Sequence, residues 1–69
     1  MVFSMAQIKD ELVRWNLRII DLQRLIGEQK RRVASEQGEA RSSLEAALHL
    51  MEQTLENWRA YQRVLQRRL

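Results

Sequence analysis

The sequence predicts an all-α fold: an antiparallel helical hairpin, one domain over residues 1–69, that pairs with a second copy into a four-helix bundle. Three observations carry this expectation. The 69 residues hold no Pro and only two Gly among many Leu, Glu, Gln, Arg and Ala, a composition that favours helix and gives strands little foothold. Apolar residues fall into two stripes stepping alternately by four and three, the a/d spacing of a helix that keeps one face on a neighbour. The stripes are also mirror images about Gly38, with Ser35 before it and Ser42-Ser43 after it.

The first stripe runs Ile8, Leu12, Trp15, Ile19, Leu22, Ile26, Gln29, Val33, and the second Leu44, Leu48, Met51, Leu55, Trp58, Gln62, Leu65, Leu69. Pairing the first member of one with the last of the other centres the fold between Gly38 and Glu39. A single unbroken helix would instead demand apolar residues at Glu36, Ala40, Ser43 and Ala47, and two of those are polar. The second stripe also resumes out of frame, so a straight continuation would turn its apolar face away. The hairpin sets Trp15 opposite Gln62, Trp58 opposite Ile19 and Gln29 opposite Leu48. Gln62 is then placed to accept from the Trp15 indole N–H.

In chain order, Ser4 followed by Gln7 has capping-box spacing, and Phe3 with Ile8 completes a hydrophobic staple. Helix 1 is expected over about 4–36. Asp10 and Glu11 lie toward its positive end, and Lys30, Arg31 and Arg32 toward its negative end. Asp10 with Arg14 and Glu28 with Arg32 supply i,i+4 pairs, each worth about 0.3 kcal/mol. Gly27 lies inside the helix at a cost of about 1 kcal/mol relative to Ala, as a tolerated defect, a close helix crossing or a hinge.

Helix 1 carries a second apolar strip. Val13, Leu17 and Ile20 lie about 120 to 180 degrees from the main seam at about 100 degrees per residue. One partner helix cannot cover both faces, so this strip is expected to contact a second copy or another protein. Leu25 widens the main stripe.

The turn is expected at about 37–41, with Gly38 in a left-handed C′ position, and helix 2 over about 40–68. Ser42 and Glu45 form another Ser-x-x-Glu pattern near its start. Ala47, Leu50, Thr54, Tyr61 and Val64 flank one side of its seam. Its charge is segregated, with Glu45, Glu52 and Glu56 before Arg59, Arg63, Arg67 and Arg68. Folding back brings the acidic half beside Arg24, Lys30, Arg31 and Arg32, and the basic half beside Asp10 and Glu11.

The function classes narrow quickly. There is no Cys and a single His, which excludes disulfides and thiolate metal sites and leaves His49 unable to build a zinc site alone. His49 is expected at the surface. No apolar run is long enough for a transmembrane span or a signal-peptide core, so no membrane is implied, and the absence of Cys suits a reducing cytoplasm. Catalysis needs a nucleophile with a base, a sheltered carboxylate pair or a metal cluster. None converges here, so no enzyme and no cofactor is expected. The two polar seam residues, Gln29 and Gln62, fit the role of fixing register and oligomeric state.

A chain this small needs support from outside its own core, and association with another copy is the available source. The leading expectation is a non-enzymatic protein–protein interaction or scaffold module that forms a homodimer, with Val13, Leu17 and Ile20 as the partner or dimer face. The alternative is a small RNA- or DNA-binding regulator of the dimeric helical-hairpin type. Twelve basic against nine acidic residues give a net charge of +3, and its candidate face is Arg24, Lys30, Arg31, Arg32, Arg59, Arg63 and Arg67.

The segment Met51-Glu52-Gln53-Thr54-Leu55, followed by Trp58-Arg59 and with Leu25-Ile26 upstream, resembles a group of small uncharacterised alphaproteobacterial two-helix proteins. The resemblance covers about the last two-thirds of the chain and implies a hairpin. It carries over no site residues.

Overall fold

Helix formation begins where the capping box places it. In the computed structural model, which describes residues 4–69, Ser4 is the N-cap of helix α1, Met5–Ser35. Its backbone N–H donates to Gln7 Oε1 at 2.8 Å, and the Gln7 N–H donates to Ser4 Oγ at 3.2 Å. Two of the four otherwise unpaired amide donors at this helix end are thus satisfied reciprocally. The staple between Phe3 and Ile8 lies outside the described residues.

The chain reverses slightly earlier than the symmetry of the stripes implied. α1 ends at Ser35, Glu36 and Gln37 are extended, and helix α2 occupies Gly38–Gln66. Gly38 has φ +66°, the left-handed region that glycine enters without Cβ strain. It opens α2, however, and is not the C′ residue that closes α1. The Ser42 capping box does not form, because Ser42 already lies inside α2, whose N-cap Gln37 makes no side-chain cap hydrogen bond. Glu45 instead accepts from Arg41 Nε at 2.8 Å. At the far end α2 stops before residue 68, with Arg67 as its C-cap.

Fifteen of the sixteen seam positions are buried or half-buried. Ile8, Ile19, Leu22, Ile26 and Leu65 are the buried apolar residues, joined by Gln29. Leu69 is the exception: it lies past the end of α2 and is exposed. No described side chain is completely enclosed, because one helix covers only one face of the other. The hairpin measures 51 × 16 × 15 Å, and among the described residues it has no strand. No helix among them is long and apolar enough to cross a membrane.

The polar seam residues find partners other than those expected. Gln29 Nε2 donates to the backbone carbonyl of Leu44 at 3.0 Å, one turn closer to the bend than Leu48. Gln62 Nε2 donates to Asn16 Oδ1, a partner the sequence did not suggest. Trp15 packs edge-on to Trp58 with centroids 5.6 Å apart, and against Tyr61 at 4.9 Å. Offset and edge-on contacts of this kind add about 0.5–1.5 kcal/mol to the burial itself. Trp15 and Trp58 are both half-buried.

Candidate interaction surface

The surface is built by the periodicity of α1. Residues spaced by three and four rise in one line along a helix, so a heptad stripe facing α2 leaves a second line facing away. Val13, Leu17 and Ile20 occupy that line and are 58%, 63% and 61% exposed. The strip expected to lack cover within the hairpin does lack it. On a different face, α2 carries the exposed Leu50, at 64%, and α1 the partly covered Leu25, at 37%. Tyr61 and Val64 extend that second face toward the open end.

Charges around the strip are arranged within α1. Arg24 donates from its two terminal guanidinium nitrogens to Asp21 and Glu28, each at 2.8 Å. The Asp21 hydrogen bond, then the Asp21 and Glu28 charges, raise the Arg24 pKa above its already high ordinary value. Arg14 lies 3.5 Å from Glu11. The pairs expected from sequence, Asp10 with Arg14 and Glu28 with Arg32, are replaced by Glu11 with Arg14 and Glu28 with Arg24. Several carboxylates lay within one turn of each Arg, and spacing alone did not choose among them. The first turn of α1 also carries no acidic residue, which puts Asp10 and Glu11 beyond the short reach of the helix dipole.

Folding back does not convert the charge blocks into ion pairs between helices. All four salt bridges among the described residues are intrahelical. Lys30, Arg59 and Arg63 line one open groove beside Ile26 and Leu55, but Glu52, Glu56 and the exposed His49 line it too. The remaining members of the basic set, Arg24, Arg31, Arg32 and Arg67, do not line that groove. Arg24 is already engaged by two carboxylates. The seven residues therefore do not form one uninterrupted cationic face of the kind that tracks a phosphate backbone.

No group of three or more His, Cys, Asp or Glu side chains among the described residues is arranged to hold a metal ion. No buried side-chain polar atom among them is left without a hydrogen-bond partner. What the arrangement offers is apolar contact area edged by charge.

The aromatic cluster was not legible as a unit. Tyr61 read as a flanking residue, yet it lies one turn from Trp58 and reaches Trp15 across the hairpin, while the Arg18 guanidinium sits 4.9 Å from the Trp15 ring centre. The i,i+3 spacing of Trp58 and Tyr61 was the available signal. Comparisons with protein-family models, with curated proteins and with solved structures return no match.

Proposed function

We propose that this chain is a non-enzymatic protein–protein interaction module whose contact surface is the Val13-Leu17-Ile20 strip, and that the hairpin supplies half of a four-helix assembly in the cytoplasm. One observation carries the reading: three large aliphatic side chains, each more than half exposed, stand in line on the face of α1 opposite α2. Isolated exposed aliphatics are ordinary, but a row at heptad spacing on a thin hairpin is the form of a helix-packing surface awaiting a counterpart. A domain of this size gains the apolar burial it lacks when such a surface is covered.

The test compares the wild-type chain with Leu17→Glu. Self-association by light scattering, or capture of a protein that withstands nuclease and moderate salt, supports the module if the Leu17 substitution abolishes it. Capture that collapses with nuclease and with moderate salt points instead to a nucleic-acid regulator, since phosphate contacts release counterions and weaken steeply as salt rises. A chain that neither self-associates nor captures protein through Leu17 ends the proposal.

A further inference from the structure

We infer that the strip is occupied by the same strip of a second copy running antiparallel, so that two α1 helices pair back to back and the four helices lie in a row, α2-α1-α1-α2. This rests on reading the strip as a protein contact and names its partner. The strip continues beyond its apolar centre with the same spacing, through Asp10, Val13, Leu17, Ile20, Arg24 and Gly27, a length of about 26 Å at 1.5 Å per residue. It is a second heptad seam with an acidic end and a basic end.

Charge sets the direction. In a parallel pairing Asp10 meets Asp10 and Arg24 meets Arg24, both like-charge contacts inside a seam. In an antiparallel pairing centred near Leu17, Asp10 comes within a turn of the partner's Arg24. On one flank Arg14 comes opposite the partner's Asp21. These two add to the ion pair that Arg24 and Asp21 already form within each α1 at 2.8 Å. The two-fold axis repeats both contacts, so four attractive encounters replace the repulsions. Arg14 is well placed for this, since its side chain is 67% exposed and its ion pair among the described residues, to Glu11, is long at 3.5 Å.

Area and symmetry accord with a second copy as the partner. The chain exposes 5449 Å², whereas a compact monomer of its mass would expose about 4600 Å². The excess, about 850 Å², matches the roughly 800 Å² that each partner contributes to a stable interface. A self-complementary seam is what an isologous two-fold contact requires. Because the strip points away from α2, pairing through it gives a row. A square bundle would instead use the face bearing Leu25 and Leu50.

Sedimentation equilibrium on the full chain tests this with five variants. The wild type should be dimeric, and Leu17→Glu should raise the dissociation constant at least 100-fold. Leu50→Glu should leave it unchanged. Arg14→Glu and Asp21→Arg should each weaken pairing about tenfold, and the two together should restore it to within about threefold of wild type. That rescue keeps the test decisive even if Leu17→Glu does not fold. Dissociation by Leu50→Glu but not by Leu17→Glu overturns the row, and a double variant weaker than either single overturns the antiparallel direction. A monomeric wild type that still captures a protein through Leu17 ends the self-pairing while the interaction module stands. A monomer that captures nothing ends both.

Discussion

Gly38 and Gly27 occupy opposite backbone environments, and alanine substitution should separate them. At Gly38, φ is +66°, where an L-residue with a Cβ is strained by about 1–2 kcal/mol. Gly38→Ala should therefore lower stability by about 1 kcal/mol, although no atom lies within 4 Å of the added carbon. Gly27 has ordinary helical geometry and equally open surroundings within the hairpin, so no close crossing with α2 explains it. Gly27→Ala should raise stability by about 0.5–1 kcal/mol through helix propensity alone. Urea midpoints measure both, and shifts of the same sign would contradict the assignment. Gln29 is a different case, a buried amide donating to a carbonyl of the α2 backbone. Replacing it with an apolar residue of similar size removes the polar group together with its need for a partner, which is close to neutral in free energy. Gln29→Leu should keep the unfolding free energy from urea melts within about 1 kcal/mol of wild type but broaden the amide NMR spectrum as alternative registers become populated. A large loss of stability with a sharp spectrum would show that the hydrogen bond serves stability and not register.

The two helices begin by different means, and mutation of two serines exposes the difference. Ser4 closes a reciprocal pair of hydrogen bonds at the head of α1, so Ser4→Ala should cost about 1 kcal/mol and speed amide exchange at Gln7. Ser42 has the same Ser-x-x-Glu spacing but lies inside α2, so Ser42→Ala should be neutral or stabilise by up to about 0.5 kcal/mol. Equal losses at the two positions would refute the observed start of α2. This contrast shows what was legible in the sequence. The seam residues were legible because burial repeats with the helical period: from Ile8 to Leu65 none falls on the exposed side. The strip of Val13, Leu17 and Ile20 was legible for the same reason, as the one row the period left over. The head of α2 was not, because the capping pattern of Ser42 and Glu45 competed with a glycine. The short bend through Glu36 and Gln37 won by allowing the helix to start at Gly38. Ion-pair partners were not legible either, since Arg14, Arg24 and Arg32 each have two carboxylates at permitted spacings and their small energies leave the choice to rotamers.

At the scale of the whole molecule, a hairpin with five buried apolar side chains among its described residues, and none of those fully enclosed, leaves folding and association tied together. Ordering each residue costs about 1.5 kcal/mol of conformational freedom. One helix-helix contact recovers too little apolar burial to offset this across an elongated molecule, so the folded state should depend on covering α1 from its second side. The thermal midpoint then follows concentration, as it does for any protein whose native state includes its partner. Unfolding absorbs about 0.7 kcal/mol of enthalpy per residue near 60 °C, or about 97 kcal/mol for a dimer of this chain. Mass action at that enthalpy moves the midpoint by about 5 °C for each tenfold change in concentration. Circular dichroism melts from 1 to 100 µM should therefore span about 10 °C, with Leu17→Glu melting lower at every concentration. A wild-type midpoint constant over that range would mean that the hairpin secures itself, and the exposed row on α1 would then have no part in its stability.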